Sequence, residues 1–116
     1  MRSLNIDYDK QYGIKDIVIG DIWLVGYKYH EKGNFNKVRP ALVTDYDDNT
    51  EKIKVKMITT KEKTLNRQNI EIPFYISKEK RKSYLANRYE WLSNYDFIRR
   101  LKSVEEIRKY KLHEIE

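Results

Sequence analysis

The segment KIKVKMI, residues 52–58, shows the clearest pattern in the chain. Large apolar residues occupy positions 53, 55 and 57, and lysines occupy positions 52, 54 and 56. An alternation with a period of two predicts a β-strand that turns one face to a core. The other face is expected to carry the three lysines as a row of ammonium groups, with Lys56 nearest to the end of the strand. Such lysines also occur simply as protection of a sheet edge.

Segments rich in β-forming residues lie on both sides of this strand. The sequence predicts further strands at 19–27, 41–43, 70–74, 84–92 and 96–101. Between them we expect polar loops at 28–37 and 59–69, a turn at 46–51 and a helical or turn-like segment at 76–83. Ser103 and Glu106 have the spacing of a capping box, which predicts a helix from there to about His113. The expected fold is mainly β (α+β), a small SH3-like barrel of curled antiparallel strands with a C-terminal helix.

The length of 116 residues fits one domain with one modest core. Residues 1–18 mix charges and isolated apolar residues without a period, so they are expected to form a loosely structured N-terminal arm before a single domain at 19–116. The chain has no cysteine and no apolar run near 18 residues. We therefore expect no disulfides, no cysteine-based zinc site and no thiol nucleophile, and neither a membrane span nor a secretory signal. The expected location is the cytoplasm.

The positive charge is concentrated in the middle of the chain. The net charge is +6, but residues 52–82 contain ten basic and three acidic residues, a local net charge of +7. A localised basic surface attracts polyanions through the release of counterions. The alternative interpretation is a solvated, lysine-rich face.

Several kinds of site are excluded by the residues themselves. With four glycines the chain contains neither GxGxxG nor GxxxxGK[ST], so the common nucleotide-binding loops are absent. The acidic segment from Asp45 lacks the glycine and the final glutamate of a calcium loop. We therefore expect no metal and no cofactor. A nuclease with two catalytic histidines would have to bring together His30, in the first long loop, and His113, at the end of the predicted helix.

Arg39, Thr59 and Thr60 remain as candidates for phosphate chemistry. Arginine before a proline is held by a stiff backbone, and its fork of donors fits a phosphate. Two hydroxyl groups at the end of the lysine-bearing strand could donate hydrogen bonds to the same phosphate. RNA carries its own nucleophile, the 2′-hydroxyl, so such groups could promote its cleavage without a metal. The simpler interpretation of both pairs is the start of one strand and the end of another.

The order of these segments resembles that of the MazF/PemK family of toxin endoribonucleases. GDIWLV (20–25), KVRPALVTD (37–45) and the strand ending in MITTK (57–61) are similar to the family's first strands, and SYLANRYEWLSNYDFIRRL (83–101) to its last ones. The resemblance covers about residues 19–113. It implies an SH3-like barrel with a terminal helix, which agrees with the strand pattern.

The resemblance also implies an activity and a site. The family cleaves single-stranded RNA at selected sequences without a metal, and leaves a 2′,3′-cyclic phosphate and a 5′-hydroxyl. The catalytic arginine falls on Arg39 and the catalytic hydroxyl on Thr59. The candidate RNA-binding residues are Lys37, Thr60, Lys61, His30 and Lys56, with His30 in the loop that covers the substrate in the family.

The same resemblance implies partners. Family members are homodimers, and a cognate antitoxin inhibits them by placing an acidic disordered tail in the RNA groove. Two other functions are compatible with the sequence. One is a non-catalytic inhibitor on the same barrel that binds DNA gyrase, as CcdB-type toxins do. The other is an RNA-binding barrel without catalysis.

Overall fold

The computed structural model describes residues 12–28, 35–76 and 78–112, and for 27–28 and 35–37 it describes the backbone alone. The chain forms an antiparallel sheet of six strands in the order β6-β7-β3-β2-β1-β8, with a separate two-stranded hairpin, β4-β5. A short helix follows the last strand. The elements are β1 (Ile22–Lys28), β2 (Phe35–Asp47), β3 (Lys52–Thr59), β4 (Lys63–Thr64), β5 (Arg67–Gln68), β6 (Ile70–Glu71), β7 (Tyr84–Leu92), β8 (Phe97–Lys102) and α1 (Val104–Ile107).

The mainly β fold with antiparallel strands and a C-terminal helix is therefore confirmed. Within the described ranges β6 and β8 are the two edges of the sheet and do not pair with each other. Closure of the sheet into a barrel stays a prediction. No helix in these ranges is long and apolar enough to cross a membrane.

Several elements differ from the sequence-based expectations. The strand expected at 70–74 consists of the two residues of β6, Ile70–Glu71. The polar loop expected at 59–69 contains the hairpin β4-β5, which turns at Leu65 and Asn66 with φ angles of 50° and 64°. Strand β2 is longer than the expected 41–43, because β1 covers its first half and β3 its second. The helix is one turn, α1, followed by a 3₁₀ turn at Arg108–Tyr110, although its start at the Ser103 and Glu106 capping box is confirmed.

The sheet carries apolar residues on both faces. Trp23, Val43 and Val55 belong to a first buried cluster, together with Phe97 of β8. On the other face Leu42, Ile58 and Leu85 pack in a second cluster under α1, which contributes Ile107. The strict alternation of residues along the strands produces this division, since neighbours in a strand point to opposite faces.

The described part of the predicted arm, residues 12–18, packs on the sheet. The ring of Tyr12 meets the ring of Trp23 edge-on with a centroid distance of 4.8 Å. Its carbonyl accepts a hydrogen bond of 2.8 Å from Asn94 Nδ2. Ile17 belongs to the first buried cluster. These residues therefore contribute to the core of the domain.

Asp21 connects three distant parts of the chain although it lies in the turn before β1. Asp21 is 1% exposed, and its carboxylate accepts a hydrogen bond of 2.7 Å from Val104 N at the start of α1. It also forms an ion pair of 3.2 Å with Arg100 of β8 and accepts a weaker bond of 3.3 Å from Trp23 Nε1. The buried carboxylate thus fixes the helix and the edge strand to β1.

Candidate functional site

The two candidate catalytic residues occupy neighbouring strands. Arg39 lies in β2, where it pairs with Val25 of β1, and Thr59 is the last residue of β3. The ladder between β2 and β3 pairs Ala41 with Met57. The ladder ends at this pair, and its register continued by two residues would bring Arg39 opposite Thr59. Because side chains repeat their direction every second residue, both lie on the face of Ala41 and Met57.

Pro40 explains why the pair lies at the end of the ladder. The pairing of β2 with β3 begins at Ala41, directly after the proline. Proline has no N–H and cannot donate a ladder bond, so the two strands lose a connection at this point. The guanidinium side of the pair is open to solvent, since Arg39 is exposed, while Thr59 is half-buried.

The hydroxyl oxygen of Thr59 is held by the backbone. Lys61 N donates a hydrogen bond of 3.1 Å to Thr59 Oγ1, the local turn that threonine commonly forms. In the described part of the chain this hydroxyl donates no hydrogen bond of its own. Its proton is therefore directed to solvent or to a ligand, from a fixed oxygen.

Arg39 likewise forms no ion pair with a described residue. A guanidinium group with free donors and a fixed hydroxyl on the same face of two neighbouring strands form a pair of donors for an anion. Both can donate to the oxygens of one phosphate, and both stabilise negative charge that develops there. A guanidinium stays protonated near neutral pH, so its part is electrostatic rather than that of a base.

The structure positions the other predicted residues differently. Thr60 and Lys61 are exposed and follow Thr59 directly, so they can reach the same ligand. Lys37 is in β2, two residues before Arg39, and its backbone alone is described. His30 and His113 lie outside the described residues. The histidine pair is therefore not tested.

The expected row of three exposed ammonium groups is wrong for Lys56. This residue is 2% exposed, and Lys54 is half-buried. Lys56 faces the second cluster, beside Leu42 of β2 and Tyr89 of β7, and these neighbours cover its stem. The error came from reading β3 alone, since the side chains that cover a strand are supplied by other strands.

The sequence reasoning missed two exposed aromatic residues. Tyr89 and Trp91 of β7 are 42% and 49% exposed and lie over the lysines of β3. The sequence contained a signal for them, because Tyr89 and Trp91 are separated by one residue, the same period of two as the lysines of β3. Asp21 carried no such signal, since its role depends on contacts with Arg100 and Val104. Among the described side chains, no group of three histidine, cysteine or acidic residues could hold a metal ion.

Comparison with known proteins adds no family. No protein-family model matches the sequence, and no curated protein matches it.

Proposed function

We propose that this protein is a metal-independent endoribonuclease of the MazF/PemK type, the toxin of a toxin-antitoxin pair, which cleaves single-stranded RNA. One observation carries the proposal: Arg39 and Thr59 lie on the same face of neighbouring strands just beyond the end of the β2-β3 ladder, and neither side chain donates a hydrogen bond to another described residue. The order of sequence motifs supports it independently.

The reaction follows from the chemistry of RNA. The 2′-hydroxyl gives its proton to water as its oxygen attacks the adjacent phosphorus. The bond to the 5′-oxygen breaks and that oxygen takes up a proton from water, so a 2′,3′-cyclic phosphate and a 5′-hydroxyl remain. Arg39 stabilises the charge on the phosphorane, and the hydroxyl of Thr59 donates to a non-bridging oxygen. Thr60 and Lys61 contact the neighbouring phosphates. This assignment needs no metal or cofactor.

The proposal includes partners. The segment 52–82, with its local charge of +7, attracts both RNA and the acidic disordered tail of a cognate antitoxin, for the same electrostatic reason. The resemblance suggests a homodimer in the cytoplasm, where messenger RNA is available.

The decisive test is cleavage of a long single-stranded RNA in excess EDTA. We expect cleavage by the parent protein and a loss of about 100-fold or more for Arg39→Ala, since one preorganised donor to a developing oxyanion contributes on that order. Arg99→Ala, an exposed arginine of β8, is the matched control and should cleave like the parent. Analysis of the ends should find cyclic phosphate, and a 2′-deoxy nucleotide at the cleaved position should block the reaction.

Thr59 is tested by two substitutions of similar size. Thr59→Val removes the hydroxyl and should reduce the cleavage rate, whereas Thr59→Ser retains the hydroxyl and should recover most of it. Absence of cleavage by the parent, or equal cleavage by Arg39→Ala, contradicts the proposal. Growth arrest that is unchanged by Arg39→Ala would instead indicate an inhibitor that binds a protein such as DNA gyrase.

A further inference from the structure

Lys56 is a buried lysine for which the described residues supply no counterion. Only 2% of the residue is exposed, and in the described ranges no carboxylate forms an ion pair with it. Its closest described electrostatic partner is the ring of Tyr89, whose centroid lies 5.3 Å from Nζ. Burial of an ammonium group is costly unless it is paired, and one aromatic ring offsets a small part of that cost. The position is therefore suited to an anion from outside the chain.

A cleft gives such an anion access to Lys56. The cleft has a volume of about 430 Å³ and lies between the hairpin β4-β5 and strands β3, β6 and β7. Its lining contains two cations, two amides and two apolar residues: Lys56, Arg67, Gln68, Asn87, Ile70 and Leu85. Among the described residues, no acidic side chain lines it. The cleft thus combines groups for a phosphate with groups for a polar, flat ring.

A β-bulge in β7 opens the sheet at this cleft. Lys56 pairs with Tyr89 and Ile58 with Leu85, so one residue of β3 faces three residues of β7 between these pairs. The additional residues interrupt the ladder and redirect the side chain of Asn87, which lines the cleft. Such an interruption in a central strand pair is often found beside a binding site.

Exposed aromatic rings continue the surface beyond the cleft. Tyr89 and Trp91 are about half exposed, and Lys54 Nζ lies 4.5 Å from the centroid of the tyrosine ring and 5.8 Å from that of the tryptophan. Exposed rings with lysines beside them on a sheet face are the usual means of binding single-stranded nucleic acids, because bases stack on the rings and phosphates meet the cations.

We propose that the cleft and the two rings form a second RNA-binding surface, which holds unpaired nucleotides next to the scissile bond. Lys56 and Arg67 bind a phosphate, Gln68 and Asn87 form hydrogen bonds with a base edge, and Tyr89 and Trp91 stack on the following bases. The inference rests on the proposed function, because the same RNA strand that is cleaved would continue into this surface. RNA fits better than an acidic peptide, because acidic side chains would match the cations but have no flat ring to stack on Tyr89 and Trp91.

The surface is close to the proposed catalytic pair but on the other face of β3. Lys56 precedes Thr59 by three residues, about 10 Å along a strand. An RNA strand that contacts both passes around the end of β3, where Thr60 and Lys61 are exposed. The cleft therefore binds nucleotides that flank the cleaved one and contributes to sequence selection.

The test measures binding of a short, randomised 2′-O-methyl RNA, which cannot be cleaved, at several salt concentrations. Lys56→Met should weaken binding by about 10-fold and reduce the slope of log K against log salt by about 0.7, the value for one phosphate of a single strand. Lys15→Met is the matched control. That lysine is exposed and lies outside both the cleft and the segment 52–82, so binding should change by less than about 2-fold.

Two surface variants test the inference if Lys56→Met does not fold. Arg67→Gln should also reduce the salt slope. Tyr89→Leu should weaken binding by about 10-fold and leave the slope unchanged, because stacking does not release counterions. In addition, the RNA should quench the fluorescence of Trp91. Equal effects of Lys56→Met and Lys15→Met, or full affinity in both Arg67→Gln and Tyr89→Leu, would overturn the inference.

Other occupants give different results. If binding of a polyglutamate peptide depends on Lys56 and binding of RNA does not, the cleft belongs to an acidic protein segment. If iodide quenches the fluorescence of Trp91 less as the protein concentration rises, without any RNA, the rings belong to a contact between two copies of the chain. Either result overturns the inference. Cleavage assays separate this inference from the proposed function. If RNA binding depends on Lys56 but the protein does not cleave RNA, the proposed function is contradicted and the inference is not.

Discussion

At the scale of single residues, Asp21 matters most for stability. Its two carboxylate oxygens accept hydrogen bonds from Val104 N and Trp23 Nε1 and form an ion pair with Arg100 Nε, three groups that belong to different elements. The bond to the helix spans 83 positions of the chain. When a buried acceptor is surrounded by several donors, replacing it by a donor group destabilises the fold, because two donors then face each other.

Asp21→Asn replaces one acceptor oxygen by an NH₂ group that faces donors. We expect the free energy of unfolding to fall by about 2 to 3 kcal/mol, which urea denaturation can measure. Asp48→Asn, the same change at an exposed turn residue, is the control and should change it by less than about 0.5 kcal/mol. Equal stability of the two variants would show that the buried network does not stabilise the fold.

Leu65 is unfavourable for two local reasons. It has a φ of 50°, which places its Cβ in a crowded position, and 92% of it is exposed. Leu65→Asn should raise the free energy of unfolding by about 0.5 to 1 kcal/mol, because asparagine tolerates the left-handed conformation of this two-residue turn. Leu65→Ala removes the exposed apolar surface and keeps the strain, so thermal unfolding of that control should show no such gain.

Individual residues also mark what sequence reasoning could reach. The alternation at 52–58 predicted β3, and Ser103 with Glu106 predicted the start of α1, because both patterns depend on neighbours in sequence. Arg39 and Thr59 could be selected, but their common face required the register of β2 and β3. The burial of Lys56 and the partners of Asp21 depend on strands far away in sequence, which no local pattern contains.

At the scale of elements, Asn69 shapes the hairpin β4-β5. Its side chain donates to Lys61 O at 3.0 Å and to Thr64 Oγ1 at 2.8 Å, and its backbone N–H donates to Glu62 O. Asn69 is 4% exposed, so these bonds form out of contact with water. The hairpin presents Arg67 and Gln68 to the cleft, and Asn69 therefore acts as a positioning residue.

Asn69→Leu removes both side-chain donors at similar volume. Amide hydrogens of the hairpin should exchange about 10-fold faster or more, since two hydrogen bonds at its base are lost. Asn49→Leu, in the exposed turn after β2, is the control and should leave the exchange of this hairpin unchanged. If the hairpin keeps its protection in Asn69→Leu, its own turn and ladder are sufficient to hold it.

The cap of α1 gives a pH-dependent contribution to stability. Ser103 N donates to Glu106 Oε1 at 3.1 Å, and this hydrogen bond lowers the pKa of Glu106 below its ordinary value of 4.5. A folded pKa below the unfolded one means that the stabilisation is present above pH 4.5 and is lost as the pH falls through the folded pKa. NMR titration of the Glu106 carboxyl should give a midpoint below 4.5, and Ser103→Pro, which lacks this N–H, should raise it. An unchanged midpoint in that variant would contradict this cause.

At the scale of the whole molecule, the two buried clusters share one sheet. Strands β1, β2 and β3 contribute residues to both, so neither cluster can open without disturbing the other. We expect one cooperative unfolding transition. Trp91→Phe leaves Trp23, which is fully buried, as the single tryptophan of the chain. In urea its fluorescence and the far-UV circular dichroism should change together, and separate midpoints would mean that the clusters unfold independently.

The contact of Asp21 with Val104 has a consequence for synthesis on the ribosome. The first strand of the sheet reaches its final place only when β8 and the start of α1 have emerged, because both attach to it. A nascent chain shorter than this lacks an edge strand and the bonds that fix the helix. We therefore expect the domain to fold only after its C-terminal segment has been translated, rather than in stages.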